Sequence, residues 1–126
     1  MSPVSISKDA DNERPIPSVW RKGLKRLADG FLSMELIETN DNISISSIAS
    51  ETKEINFANI TDYPDRLGPL AEKAWETSVC IWASDHWDIL VDLSDENGET
   101  TDLVLHATIY EEGQEFILES GLIYVP

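Results

Sequence analysis

The sequence predicts an α+β fold, in which an antiparallel β-meander of about four strands has an N-terminal amphipathic helix and a second short helix packed on one face. Two observations support this prediction. Apolar residues recur at helical spacing in the first third of the chain, and they alternate with polar residues in its last third. The connections between the alternating segments are short and contain Asn-Gly and Glu-Gly, which favour β-hairpins. One sheet with helices on one face forms a two-layer sandwich.

The first element is a helix predicted over 18–34. Its apolar residues recur at spacings of four, three and four residues and so share one helix face: Trp20, Leu24, Leu27 and Phe31. Its basic residues lie mainly off this stripe, which makes the helix amphipathic and suited to packing on a sheet. A second helix is expected to begin at Ser50 and to end before Pro64, and a short helical turn is expected over 70–75.

The remaining elements are predicted to be strands. Four segments have the required pattern, over 78–83, 86–94, 101–111 and 115–125, and a further short strand is expected near 42–48. In the second segment the odd positions are apolar, so these residues are expected to face the core. Trp82 has the opposite parity to Val79 and Ile81, which predicts that Trp82 faces outward.

The strand register is set by requiring all apolar rows to share one face, because a slip of one residue turns a whole strand over. In the first hairpin this requirement favours a three-residue loop over 96–98, which places Val91 opposite Leu103. In the second hairpin it favours a two-residue turn at 112–113. Both hairpins then have one common apolar face.

The same registers place charged residues on the outward face. Asp88 is expected opposite His106, and His106 opposite Glu119, in one row across the sheet. Asp92 is expected opposite Asp102, and like charges in that position either cost stability or await a cation. The histidine between two carboxylates is open to three interpretations: a surface ion-pair cluster, a partner-binding patch, or a catalytic or metal site. The last is disfavoured, because a flat sheet supplies neither a pocket nor enough convergent ligands.

Length and composition indicate a single globular domain. The chain has 126 residues and is 41% apolar. Residues 1–15 are polar and lack periodicity, so we expect a flexible tail followed by one domain over 16–126. Cys80 is the only cysteine and lies in an apolar stretch, which suits a buried thiol in a reducing compartment. The sequence contains no membrane-length apolar run, and its start lacks the apolar segment of a signal peptide, so a cytoplasmic location is expected.

The charge is large, negative and unevenly distributed. The net charge is −15, and residues 76–126 contain twelve Asp and Glu residues and no Lys or Arg. Such a charge keeps a small domain soluble. It also gives the predicted sheet a negative potential, which repels nucleic acid and anionic membranes and attracts cationic proteins. We therefore expect a basic protein partner, with no nucleic acid and no membrane.

Four segments resemble a known family: Trp75-Glu-Thr-Ser-Val-Cys-Ile-Trp, His86-Trp-Asp-Ile-Leu-Val-Asp-Leu, Asp102-Leu-Val-Leu and the closing Ile-Tyr-Val-Pro. With these residues the chain resembles a little-characterised family of small acidic bacterial domains, which are associated with immunity proteins of polymorphic toxin systems and contact-dependent growth inhibition. The resemblance runs from about Ile16 to the end. It implies a cytosolic protein that binds and blocks a cognate toxin domain, and many such toxins are nucleases with basic surfaces. It brings no catalytic motif.

The sequence therefore predicts a non-catalytic immunity protein without cofactor or metal. The residues expected to bind the partner are Asp88, Asp92, Asp102, His106, Glu119, Trp82 and Tyr110. An adaptor or regulatory module with another partner is the alternative, and a hydrolase that uses His106 with Asp88 and Glu119 is a third hypothesis. The oligomeric state is left open.

Overall fold

The computed structural model describes residues 4–33 and 43–126. Within them the chain forms two α-helices, one 3-10 helix and a six-stranded mixed sheet, so the predicted α+β class is confirmed. The helices are α1 (Ser18–Ser33), α2 (Ser50–Asp62) and the 3-10 helix Glu72–Glu76. The strands are β1 (Arg14–Pro15), β2 (Ile43–Ile45), β3 (Val79–Trp82), β4 (Trp87–Ser94), β5 (Thr100–Glu112) and β6 (Glu115–Tyr124). Residues 1–3 of the predicted tail, residue 34 of the predicted first helix and residue 42 of the predicted short strand lie outside the described residues.

The sheet has the strand order β1-β3-β4-β5-β6-β2. Strands β3 to β6 form the predicted antiparallel meander. The expected number of about four strands is too small, because β1 pairs antiparallel with β3 and β2 pairs parallel with β6. β1 has only two residues and one of them is proline, so it has no alternating pattern that a sequence can reveal. The parallel pairing of β2 makes the sheet mixed.

Helix α1 packs its apolar stripe on one face of the sheet. Trp20 is fully buried, and its ring meets the rings of Trp87 and Phe116 edge-on at centroid distances of 4.9 and 5.4 Å. Burying a large apolar side chain contributes about 2–3 kcal/mol, so this aromatic group is a main source of stability. A Cβ on Gly23 would lie 2.9 Å from Cγ2 of Ile43, so the glycine allows α1 to approach β2 closely.

Helix α2 is joined to the edge of the sheet by two asparagines. Asn56 is fully buried, donates from Nδ2 to the carbonyl of Gly121 at 3.0 Å and accepts at Oδ1 from the amide of Ile123 at 2.7 Å. Asn59 donates to the carbonyl of Ile123 at 2.7 Å. The pairing of β2 with β6 reaches only Leu118. Beyond that point the two side-chain amides provide hydrogen bonds to the edge of β6.

The first hairpin has its predicted turn, but its predicted pairing is wrong. The amide of Asp95 donates to the carbonyl of Glu99 at 2.8 Å, as a three-residue loop requires. A β-bulge near the end of β4 then shifts the register by two residues, so that Val91 lies opposite Leu105 instead of Leu103. A shift of two residues leaves every side chain on its original face, so the apolar pattern could not reveal it.

The second hairpin turns one residue later than predicted, because Glu112 pairs with Glu115. The register again differs by two residues near the turn, and Ile109 lies opposite Leu118 instead of Phe116. Near the turn the inward and outward faces are unchanged, since the shift is even. Beyond the irregularity between Leu105 and Ala107 the shift is odd, so Ile123 faces the core and Leu122 is exposed.

The described part of the predicted N-terminal tail contacts β3 and β4. The indole Nε1 of Trp87 donates to the carbonyl of Ser7 at 3.0 Å, and the amide of Trp82 donates to the carbonyl of Asp9 at 3.3 Å. The domain boundary after residue 15 stays a prediction.

Candidate functional site

Strands β3 to β6 present two different faces. The inner face packs against α1, and its side chains in β4, such as Trp87, Ile89 and Val91, are fully buried. The alternate side chains point away from α1 and are half-buried in β4. We call this second surface the open face. The open face includes Ile81, Asp88, Leu90, His106, Tyr110, Ile117 and Glu119.

The row of paired residues around Asp88 differs from the predicted one. Ile81 lies opposite Asp88, Asp88 opposite Thr108, and Thr108 opposite Glu119. The predicted row of Asp88, His106 and Glu119 is therefore wrong, because the bulge between β4 and β5 and the later turn between β5 and β6 shift each strand along its neighbour. All three predicted residues still belong to β4, β5 and β6.

His106 lies opposite Leu90, at an irregularity in the pairing of β5 with β6. A Cβ on Gly121 would lie 2.8 Å from the carbonyl oxygen of His106 and 3.0 Å from its Nδ1, so β6 passes this histidine closely only because position 121 lacks a side chain. His106 Nε2 is 3.5 Å from Asp88 Oδ1. His106 and Asp88 therefore approach each other, as predicted, but as diagonal neighbours on adjacent strands and not as a directly paired couple.

His86 also lies in this cluster, although it was not among the residues predicted for the site. His86 Nε2 is 3.4 Å from Asp88 Oδ1, and its Nδ1 is 2.5 Å from Asp85 Oδ1. Its ring centroid is 5.6 Å from that of Tyr110. One carboxylate therefore lies between two imidazoles, which is the reverse of the predicted histidine between two carboxylates. The signal in the sequence was the spacing, because residues two apart near the start of a strand share a face.

The predicted pair of facing aspartates does not form. Asp92 lies opposite Val104 and accepts a hydrogen bond from the hydroxyl of Thr77. Asp102 accepts a hydrogen bond from the hydroxyl of Tyr63, and this bond holds the pKa of Tyr63 above its ordinary value. Each carboxylate is thus held by a hydroxyl, so the like-charge repulsion expected from the sequence is absent.

The two predicted aromatic contacts face opposite sides of the sheet. Trp82 lies opposite Trp87 with ring centroids 4.5 Å apart, and the Nζ of Lys8 is 5.0 Å from the Trp82 ring centroid. Its predicted outward orientation is wrong, because the outward residues of β3 are themselves apolar. Tyr110 lies opposite Ile117 on the open face and exposes 36% of its surface.

The basic residues near strands β3 to β6 come from other parts of the chain. Strands β3 to β6 contain no Lys or Arg. Lys73, in the 3-10 helix, lies 2.6 Å from Glu99, whose carboxylate raises the pKa of the lysine. Lys8 lies 3.0 Å from Glu111. Both acids are near strand ends, so these exposed ion pairs leave the middle of the sheet negative.

The arrangement on the open face offers little for chemistry. Among the described residues, no group of three or more His, Cys, Asp or Glu side chains could hold a metal ion. Two grooves of about 380 and 500 Å³ lie on either side of Tyr63 and Pro64, and their lining residues do not include His86, Asp88 or His106. A general acid or base requires a substrate held within hydrogen-bond reach.

Most of the chain matches a known protein family. The family described as "Domain of unknown function (DUF7668)" matches residues 31–126, which cover the end of α1 and all later elements. No curated protein and no solved structure matches the chain. Within the described ranges 4–33 and 43–126, no helix has the length and apolar character needed to cross a membrane.

Proposed function

We propose that this chain, which belongs to the DUF7668 family of unknown function, is a non-catalytic immunity protein of the cytosol. It binds a cognate bacterial toxin domain, a basic nuclease in the simplest case, and neutralises it. Its acidic C-terminal sheet contacts the basic surface of the toxin, so that the toxin can no longer bind its substrate.

One observation supports this proposal above all others: strands β3 to β6 contain acidic residues and no Lys or Arg. Residues 76–126 contain twelve Asp and Glu residues and no Lys or Arg, and β3 to β6 lie within this range. A surface with charges of one sign attracts a protein of opposite charge and raises the rate of encounter. A nuclease attracts such a surface for the same reason that it attracts nucleic acid.

The basic residues of the chain do not cancel this charge. There are 9 of them against 24 acidic residues. Ion pairs with acids outside the open face include Lys8 with Glu111 at 3.0 Å, Arg14 with Asp9 at 2.7 Å, Lys25 with Asp29 at 2.9 Å and Lys73 with Glu99 at 2.6 Å. The acidic side chains of the open face therefore keep most of their field, which falls off over about 8 Å at physiological salt.

The resemblance to immunity proteins supports the choice of a toxin as the partner. A toxin acts from the moment it enters or is made, so an immunity protein gains from fast capture, and electrostatic attraction provides it. The position of the histidine cluster, outside the grooves, supports a binding role over a hydrolytic one. An adaptor module would use the same surface, and it would be favoured by a gene neighbourhood without any toxin-like gene.

Growth rescue tests the proposal. The toxin-like gene next to the gene of this chain is induced in a bacterial host with and without the chain. We expect growth arrest from the toxin alone, rescue by the chain, and no rescue by an unrelated acidic protein of similar net charge. Growth arrest that persists when both proteins are soluble and expressed would contradict the proposed function.

A further inference from the structure

We infer that the open face is a docking surface for a basic protein that presents an apolar side chain among its Lys and Arg residues. The inference rests on the proposed function only in identifying this partner as a toxin. It adds the location of the contact and the chemistry of the matching surface.

Apolar side chains of the open face lie on both sides of the row Asp88, Thr108 and Glu119, and Ile81 lies at the end of that row; we call these apolar side chains the apolar centre. Tyr110 lies directly opposite Ile117, and Leu90 lies directly opposite His106 on the neighbouring strand. Ile81 and Leu90 are half-buried, and Tyr110 exposes 36% of its surface. At the other end of the face Leu122 exposes 42%. Exposed apolar side chains on a solvated sheet are the kind of anchor that a protein partner buries.

Acidic side chains lie among and beside these apolar residues. Asp88 and Glu119 lie on either side of Thr108, in the row between Leu90 and Tyr110. At the hairpin end, Glu112 and Glu115 lie directly opposite each other, and facing like charges destabilise a strand pair unless a cation joins them. A partner with an apolar anchor and surrounding cations would satisfy both parts of the surface.

The charge also decides against other occupants. A second copy of this chain, docked face to face, would bring Asp88 and Glu119 close to the same acids of its neighbour. Such contacts cost several kcal/mol in an interface, so self-association through this face is disfavoured. Nucleic acid and anionic membranes carry the same sign of charge and are repelled. A cationic protein is the occupant that fits.

A synthetic peptide tests this surface without knowledge of the natural partner. The probe is a ten-residue peptide that alternates Lys with Leu and Trp, added to the 15N-labelled full chain. We expect the largest amide shift changes in β4, β5 and β6, next to Leu90, Tyr110 and Ile117. One control peptide has Glu in place of Lys, and another has Ala in place of Leu and Trp. Both are expected to bind at least about tenfold more weakly.

Matched variants locate the contact by mutation. Ile117→Asp places an acid in the apolar centre, and Val19→Asp makes a comparable change on α1, where Val19 exposes 52%. We expect Ile117→Asp to weaken peptide binding about tenfold and Val19→Asp to leave it unchanged. Tyr110→Ala, at an exposed position, provides a second test if Ile117→Asp fails to fold.

The outcomes separate this inference from the proposed function. Shift changes centred on α1 or α2, or equal binding by the Ala peptide, would overturn the docking surface. Growth rescue that survives both Ile117→Asp and Tyr110→Ala would overturn it too, while leaving the toxin partner intact. If growth rescue fails but the peptide binds on the open face, the proposed toxin partner is contradicted and the docking surface is supported.

Discussion

Cys80 is the only thiol of the chain and lies in the inward row of β3. It exposes 3% of its surface, and burial raises the pKa of its thiol to about 11. The thiolate is the nucleophile in reactions with thiol reagents. Both access and ionisation therefore protect this residue in the folded chain.

Thiol labelling at pH 8 tests this protection. We expect the native chain to react with an aromatic disulfide reagent at least about 100-fold more slowly than the chain unfolded in urea, where the thiol pKa returns to about 8.5. Since the chain has one cysteine, the signal reports Cys80 alone. Equal rates in the two states would contradict the burial of Cys80 and the position of β3.

Single residues also explain where prediction from sequence stopped. Trp82 was expected outward because Val79 and Ile81 share the other parity and are apolar. The structure has the apolar pair Val79 and Ile81 opposite Leu90 and Asp88, on the open face. The usual rule assumes that the outward face is polar. The rule failed here because the open face has an apolar centre, which is the feature from which we infer a docking surface.

At the scale of elements, α2 depends on a polar contact more than on an apolar stripe. Asn56 is its only fully buried residue, and both ends of its amide bond to β6. The sequence predicted where α2 begins and ends, because Ser50 and Pro64 mark those positions. It gave no sign of this contact, since an asparagine at one position in a helix has no pattern that distinguishes burial from exposure.

Truncation of Asn56 tests the attachment of α2. Asn56→Ala leaves the amide of Ile123 and the carbonyl of Gly121 without a partner, and we expect the free energy of unfolding to fall by about 3 kcal/mol. Glu54→Ala, at an exposed position of the same helix, is the control and should change it by less than about 0.5 kcal/mol. Urea unfolding measures both. Equal effects would show that α2 is not held by this side chain.

The strands were predicted closely in extent and wrongly in register. Alternation of apolar residues identified the extents of β3 to β6 and the inward faces of β4 and β5. It could not detect the bulge between β4 and β5, because an even shift leaves each side chain on its face. The irregularity between β5 and β6 shifts the register by one residue, so the inward side chains of β6 change from even to odd positions between Leu118 and Ile123. As a result, most residues of the candidate surface were predictable, but the cross-strand pairs that they form were not. The structure adds His86 to the cluster around Asp88, and it places Asp102 at Tyr63 instead.

For the whole molecule, charge is the property that the sequence determines most directly. The net charge of −15 and the absence of Lys and Arg after Lys73 do not depend on register, bulges or side-chain rotamers. The fold adds geometry: α1, with four of the basic residues, packs on the inner face, and the acidic open face is left uncovered by it. This separation gives the chain a surface of one sign on which a cationic partner can dock.

The rate of association with the toxin domain tests the central claim most directly. A catalytically inactive form of the neighbouring toxin is mixed with the wild-type chain and with an Asp88→Asn, Glu119→Gln double variant, in 50 to 500 mM NaCl. We expect the wild-type rate constant to fall at least about tenfold over this range. The double variant should associate more slowly at low salt and depend less on salt. A wild-type rate that does not change with salt, or a double variant that behaves like the wild type, would contradict the claim that the acidic open face captures a basic partner.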